Sequence, residues 1–313
     1  MANKSKNGAS AFGSLKVWLD GELVPFKDAS VPILTHSMQY GSGVFEGIRA
    51  YDTGKGAAVF RLDDHVRRFF NSAKMYYMDT GYNESGIAAA IKKTVKANDL
   101  KAAYIRPFAF YNDSNIGLST KGKGISVYIA AVPFDSYFGS GKDTGIRCKV
   151  SSWRRIGYSI LPVEAKVSGN YINSILASSE ASKAGFDEAI LLSHDGYIAE
   201  GPGENIFLVK EGKLYTPDDG SDILLGITRD SIIKIGERLG MEVIRTRLHR
   251  EALYTSDEVF FSGTAAEITP IVDVDGIKIG NGKPGAITKK LGERYSNIAR
   301  GKDSAFSKWL AFV

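Results

Sequence analysis

Pro162-Val163-Glu164-Ala165-Lys166-Val167-Ser168-Gly169-Asn170-Tyr171 lies just past the middle of a 313-residue chain, where an irregular segment gives way to a helix. The chain before it reads as one compact unit and the chain after it as another. The spacing predicts a helix from about Ser168 to Ala184, with Ile172, Ile175, Leu176, Ser179 and Ala181 recurring at helical intervals and Gly185 as the stop. Lys166 stands at its threshold. Local context leaves two readings open for that lysine. It is one solvated cation among many, or it is an amine in a closed pocket between two units, where desolvation or a nearby cation makes it neutral and nucleophilic.

Working outward, a chain of this length predicts two domains, here 1–134 and 146–313, joined by a linker at 135–145. The linker is marked by Asp135-Ser136-Tyr137-Phe138-Gly139-Ser140-Gly141-Lys142-Asp143-Thr144-Gly145, where Gly, Ser and charge replace apolar residues. Apolar residues make up 43% and charged residues 24%, which suits an ordinary globular protein. No run approaches the ~18 apolar residues of a membrane span. The start, Met1 to Gly8, lacks the apolar stretch of a secretory signal and reads as a frayed tail. Cys148 is the one cysteine, so an internal disulfide is impossible and a reducing cytoplasm fits; its alternating surroundings predict a core thiol. The formal charge of +5 is scattered, with Arg67-Arg68, Lys92-Lys93, Arg154-Arg155 and Lys289-Lys290 as the doublets. Such a pattern argues against nucleic acid and suits a small anionic ligand.

In the first half, Leu15–Phe26 predicts a hairpin turning at Asp20-Gly21. Gly41, Gly43 and Gly47 do not form a dinucleotide loop, because their spacing is wrong and a strand follows. Strands are expected at about 44–51 and 57–61. A helix from Leu62 should bury Leu62, Val66, Phe69, Phe70 and Ala73, which leaves Arg67 and Arg68 at the surface. A second helix, 84–97, should bury Ile87, Ala90, Ile91, Thr94 and Val95. Strand 103–111 places Arg106 on a face with Tyr104, Phe108 and Phe110, where it needs an anionic partner or a route to water. That partner is either a structural carboxylate or a ligand's. Ile125–Pro133 reads as a central strand.

In the second half, strand 146–153 precedes the Lys166 segment. Hairpins follow at 187–193/197–200 and 205–209/213–215. Gly226-Ile227-Thr228 opens a helix to about Gly240 with Thr228 as N-cap, and exposed N–H groups there suit an anion. Strand 259–262 enters a loop of small residues, Gly263-Thr264-Ala265-Ala266-Glu267-Ile268-Thr269-Pro270, and the helix from about 284 closes the chain.

Taken together and in order, several separated motifs are highly specific. They are Tyr40-Gly41-Ser42-Gly43-Val44-Phe45-Glu46-Gly47-Ile48-Arg49, Tyr104-Ile105-Arg106-Pro107, Ala165-Lys166-Val167-Ser168-Gly169-Asn170-Tyr171, Glu200-Gly201-Pro202-Gly203-Glu204-Asn205 and Gly263 to Pro270. From about Val17 to Pro284 the chain resembles the branched-chain amino-acid aminotransferases, pyridoxal-phosphate enzymes of fold type IV. The resemblance implies a two-domain α/β (α+β) fold, with a smaller N-terminal domain and a larger cofactor domain whose mixed sheet is partly barrel-like. It implies transfer of the amino group between leucine, isoleucine or valine and 2-oxoglutarate. Lys166 would hold pyridoxal 5'-phosphate as a Schiff base and move the Cα proton, a task for an amine that can shed its charge although a free lysine has a pKa of ~10.4.

Glu200 would face the pyridine nitrogen, with Glu204 as competitor, and Tyr171 would bond the ring hydroxyl. Arg68 would bind the phosphate, together with backbone groups of Ile227, Thr228 and Thr264; Leu224, Gly226 and Gly263 complete the implied cofactor set. Tyr40, Phe45, Tyr104, Arg106 and Tyr137 would shape the substrate pocket, with Thr264 and Ala265 near the α-carboxylate and Arg106 as the cation for a substrate carboxylate. No metal is implied, and a homodimer is, since in the family a neighbouring subunit's loop completes the pocket. Leu225, where many relatives have proline, Pro202 and Gly43 depart from the family pattern; Gly43 alters a pocket edge. D-amino-acid aminotransferases, amine transaminases and aminodeoxychorismate lyases share the fold and would keep Lys166 and Glu200 with different pocket motifs.

Overall fold

The first hairpin closes where turn chemistry places it: β1 (Lys16–Leu19) and β2 (Glu22–Pro25) are joined by Asp20 and Gly21, both at positive φ (46° and 103°). The computed structural model describes residues 12–114, 116–134 and 137–313. The expected tail at Met1–Gly8 and the first two linker residues lie outside that range. Chain contacts group the described residues into two units. One holds 12–134 with Ala165–Gly169 and Phe306–Val313, and the other holds 137–164 with Asn170–Ala305.

The first unit continues through α1 (His36–Tyr40), β3 (Gly43–Phe45), β4 (Ile48–Thr53), β5 (Gly56–Phe60), α2 (Leu62–Met75), α3 (Glu84–Ala97), β6 (Ala103–Tyr111) and β7 (Ile125–Val132). Its sheet runs C-terminal strand–β5–β4–β6–β7–β1–β2, with β3 also on β6. β7 is central as expected, pairing with β6 along its length and with β1 at Trp18 and Leu19. The buried stripe of α3 is the predicted one, and Asn83 Oδ1 caps it by accepting from Gly86 N at 2.8 Å. Val66, Phe69, Ile87, Ile91 and Val95 from the two helices pack with Ile48, Ile105, Val127 and Ile129 from the sheet.

Two features differ from expectation. The strand expected at 44–51 breaks into β3 and β4, because Glu46 donates its N–H to Pro107 O and turns its carboxylate into the core. The chain also does not end on its last helix. The C-terminal strand, Leu310–Phe312, returns to pair with β5, where Trp309 O accepts from Arg61 N and the Trp309 ring lies 4.8 Å from the Arg61 guanidinium.

The second unit contains α4 (Gly141–Thr144), β8 (Ile146–Arg154), α5 (Tyr171–Lys183), β9 (Glu188–Leu192), β10 (Ile198–Glu200), β11 (Asn205–Lys210) and β12 (Lys213–Thr216). After these come α6 (Ile227–Arg238), β13 (Val243–Arg245), α7 (Glu251–Thr255), β14 (Glu258–Gly263), β15 (Glu267–Val274), β16 (Ile277–Lys278) and α8 (Ala286–Ala299). Strands β10–β9–β8–β15–β14–β11 form a sheet that closes into a six-stranded barrel by pairing β10 with β11. Parallel pairs β8–β9 and β8–β15 sit among antiparallel ones, so the sheet is mixed. Closure removes the edges that an open sheet would leave.

Here too the structure corrects details. A short helix, α4, occupies part of the expected linker. Gly226, extended at φ −70° and ψ 132°, is the N-cap of α6, and Thr228 lies buried inside the helix instead. The small-residue loop is shorter than expected, because Glu267 turns the chain at φ 52° and β15 begins there. Of the residues recurring at helical spacing in α5, only Ala181 is buried. The buried residues of the helix are Ser174, Ala177 and Ala181, while Ile172, Ile175 and Leu176 are exposed. The barrel side of α5 admits only small side chains, so the large ones point outward. Cys148 is fully buried, and burial pushes its thiol well up, which leaves it a core residue.

Among the described residues no helix is long and apolar enough to cross a membrane. Ile105 is fully buried at the centre of the first core. Ile105→Ala is expected to destabilise the protein by about 2–5 kcal/mol, measured as a shift in the urea midpoint at unchanged slope.

Candidate active site

Lys166 is fixed through its backbone. Its N–H donates to Ser72 Oγ (3.0 Å), and its C=O accepts from Phe45 N (2.9 Å). Val167 bridges Val44, and Gly169 N donates to Gly41 O (3.0 Å). Ala165–Gly169 therefore lies against Gly41–Phe45, bridged at Val167 and turning into a short 3-10 helix at Ser168–Asn170. The approach is close: a Cβ on Gly41, itself at φ 67°, would lie 2.9 Å from Gly169 Cα, so a side chain there would prise the lysine segment away. The Lys166 Nζ lies 5.1 Å from the centre of the Phe45 ring. The Arg106 guanidinium lies 4.5 Å from that same ring, so one aromatic face system serves two cations.

Behind Phe45 stands a residue that the sequence reading passed over. Glu46 has no solvent exposure and accepts from Arg68 Nε (2.7 Å), Arg68 Nη2 (2.9 Å) and His65 Nδ1 (2.7 Å). Burial works against its charge, but the Arg68 guanidinium and the His65 N–H outweigh burial and hold the carboxyl well below the usual carboxylate range. Burial, opposed by Glu46, pushes His65 down, and since a carboxylate can only accept, His65 Nδ1 carries the proton between them. Arg68 is thus turned inward from a helix face that the wheel assigned to the surface, and its side chain is only 14% exposed. Arg67, its neighbour, is exposed as expected.

In the second unit, Glu200 ends β10 and is buried. Its Oε1 accepts from Arg155 Nε (2.7 Å), and its Oε2 accepts from Asn205 Nδ2 (3.0 Å) and Leu224 N (3.1 Å). Arg155 belongs to a doublet that read as scattered surface charge, yet its side chain is only 8% exposed. Glu204, the competitor, turns its Oε2 to Gly203 N (3.0 Å) in its own loop. Leu224 leads into Gly226, Ile227 and Thr228 at the head of α6, where no side chain caps the helix. Gly263, Thr264 and Ala265 are half-buried at the end of β14 and the turn after it.

The remaining predicted residues are distributed as follows. Tyr104 and Arg106 share a face of β6 and are joined by a 3.0 Å bond from Arg106 Nη2 to the Tyr104 hydroxyl. Arg106 Nε is buried and has no hydrogen-bond partner among the described residues. Tyr40 ends α1, its ring 4.8 Å from His36, and its hydroxyl accepts from Gly117 N (3.3 Å). Tyr137 is exposed and packs edge-on against Phe138, and Tyr171 is half-buried at the start of α5. Among the described residues no group of three or more His, Cys, Asp or Glu is placed to hold a metal ion.

Residues 43–274 match the amino-transferase class IV family. The branched-chain-amino-acid aminotransferase of Pseudomonas aeruginosa is 44% identical over 298 residues, which cover 95% of this chain and 97% of that one. The class IV aminotransferase family includes this chain, within its branched-chain-amino-acid branch. The solved Escherichia coli branched-chain amino acid aminotransferase superposes with a TM-score of 0.93 at 43% identity, covering 95% of this chain and 99% of that one. The Thermobaculum terrenum branched-chain amino acid aminotransferase, solved in its PLP holo-form, gives 0.90 at 35% identity, covering 96% and 98%.

Within this class IV aminotransferase, Glu46 carries a test that needs no substrate. Because its folded pKa is depressed, its ion pair stabilises the fold above the ordinary carboxylate range, and that stability is lost as pH falls towards the depressed value. Glu46→Gln is expected to cost about 3–5 kcal/mol at pH 7 in urea unfolding. The gap from wild type should narrow once pH drops below the ordinary value of 4.5. A gap that is constant across pH would remove the charge from the explanation.

Proposed function

We propose that the protein exchanges the amino group between branched-chain L-amino acids (leucine, isoleucine, valine) and 2-oxoglutarate, using pyridoxal 5'-phosphate. The observation that carries this reading is the buried Glu200 carboxylate, held by three donors in a chain 44% identical to a branched-chain aminotransferase. A carboxylate so held stays an acceptor, which is what a protonated ring nitrogen requires of its partner.

The donor set fits the cofactor. The uncapped N–H groups of Ile227 and Thr228 lead a helix of 12 residues and suit a phosphate. Arg68 supplies the balancing cation, with its plane set by Glu46. When bound, pyridoxal phosphate supplies an aldehyde for amines and a protonated ring that draws electrons from the substrate's Cα–H bond. Lys166 Nζ would hold that aldehyde and would take up and return the substrate's Cα proton. Tyr171 would bond the ring hydroxyl, Thr264 would share the phosphate, and Leu224, Gly226 and Gly263 would line the cofactor. Tyr40, Phe45, Tyr104 and Tyr137 receive the alkyl side chain. Thr264 and Ala265 would receive the α-carboxylate, and Arg106, whose Nε has no partner among the described residues, would receive the side-chain carboxylate of glutamate.

The assembly is a homodimer at least. Support comes from α5 and its approach, where Ile160 (69% exposed), Ile172 (61%) and Ile175 (56%) stand in water on the isolated chain. An apolar surface of this kind suits a second copy. The cytoplasm is the compartment that fits a lone buried thiol.

The test is an amino-donor panel with 2-oxoglutarate, read on wild type, Lys166→Ala and Arg106→Ala. Wild type should use L-leucine, L-isoleucine and L-valine and leave D-alanine and chiral amines untouched. Lys166→Ala should lose at least about 100-fold in kcat. Arg106→Ala should lose about 10–100-fold in kcat/KM for glutamate and less for leucine. Preference for D-alanine or an amine would overturn the substrate assignment. Unchanged glutamate turnover in Arg106→Ala would remove that residue from the site.

A further inference from the structure

Asn205 opens β11 and is buried, and its carboxamide lies between Glu200 and the turn before α6. Its Nδ2 donates twice, to Glu200 Oε2 at 3.0 Å and to Leu224 O at 2.9 Å. Two acceptors around one nitrogen fix the amide's orientation, since the flipped amide would press oxygen against oxygen. Its Oδ1 faces Gly226. A Cβ built on Gly226 would lie 1.8 Å from that oxygen. Gly226 has φ −70° and ψ 132°, which any residue adopts, so its backbone does not call for glycine; the contact with Asn205 does. Glu200 is also tied directly to the same turn by Leu224 N. One side chain therefore touches the carboxylate on β10 and both flanks of the turn that leads into Ile227 and Thr228.

We propose that Asn205 is a positioning residue that sets the spacing between the group facing the cofactor's ring nitrogen and the backbone donors facing its phosphate. This rests on the roles proposed above for Glu200 and for the head of α6. The physical argument is one of preorganisation. A ligand with two anchor points binds more tightly than the sum of its halves when the protein already holds both anchors at the right separation. Arg155 fixes only one oxygen of Glu200 and does not reach the turn, so it aligns the carboxylate without setting that distance. Asn205 does both.

The test compares whole ligand with half ligand. Binding of pyridoxal phosphate, of pyridoxal and of inorganic phosphate is measured by calorimetry on the apoprotein of wild type, Asn205→Ala, Gly226→Ala and the double variant. Asn205→Ala should weaken pyridoxal phosphate about tenfold or more while changing pyridoxal and inorganic phosphate by less than about threefold. Gly226→Ala attacks the same contact from the opposite side and should also weaken pyridoxal phosphate. In the double variant the clash is gone, so the loss should be smaller than the product of the two single losses. Equal losses for pyridoxal and its phosphate, or a double variant that multiplies the two, would overturn the spacing role. Wild type that fails to bind pyridoxal phosphate would instead overturn the proposed function itself. If Asn205→Ala does not give a cooperative thermal transition, Gly226→Ala alone carries the comparison. Equal losses there have the same adverse meaning.

Discussion

A carboxylate taken out of water must be met by donors, and this requirement organises one cluster in each unit. Glu46 is enclosed with Arg68 and His65, and Glu200 with Arg155, Asn205 and the Leu224 amide. Each carboxylate stands at a break in regular structure, Glu46 between β3 and β4 and Glu200 at the end of β10. Because an unpaired buried charge is so costly, the surrounding donors are confined to narrow geometries. Charged groups that would sweep a wide volume at the surface are held to one orientation here. That confinement is what a site needs before any ligand arrives.

The backbone of the Lys166 segment answers to the same region. Phe45 N–H holds Lys166 C=O, and the next residue along from Phe45 is Glu46. The lysine and the arginine-binding carboxylate are thus tied to adjacent residues of one strand end. A displacement of β3 moves both, so the lysine's place and the orientation of Arg68 are not independent. Fold and chemistry meet at Gly41–Glu46, a stretch with two glycines: at Gly41 backbone approaches backbone, and at Gly43 the Phe108 ring occupies the space of a side chain.

Much of this was legible in the sequence, for reasons that can be named. The α3 stripe and the β6 and β7 strands follow from periodicity and local turn chemistry, which act over a few residues. Motif order identified the family, and Lys166 and Glu200 came from it. Periodicity failed where a distant charge decides. Arg68 lies off the apolar stripe of α2, so the wheel sends it outward, but Glu46, 22 residues earlier in the chain, draws it in. Arg155 looked like half of a surface doublet because its partner Glu200 lies 45 residues ahead. Asn205 was visible only as a letter in a motif. Its role depends on Leu224 and Gly226, which no local pattern connects to it. The C-terminal strand was missed for a similar reason, since three residues have no detectable period.

Helix α5 shows a different limit. Its large apolar residues recur at helical spacing, and the natural inference is that they face the core. The spacing establishes only that one face is apolar, not what covers it. In this chain the barrel side of α5 is met by Ala189 and Leu191 of β9, and Ala177 and Ala181 fill the space that remains. Small residues let helix and sheet approach closely, and that close packing leaves no room for isoleucine. The large side chains are then displaced to the outer face, where the isolated chain gives them only water. Folding of the single chain thus leaves Ile172, Ile175 and Leu176 exposed on one helix. Hydrophobic periodicity on such a helix therefore does not say which face meets the sheet, whereas the residue sizes, small towards the sheet and large away from it, do.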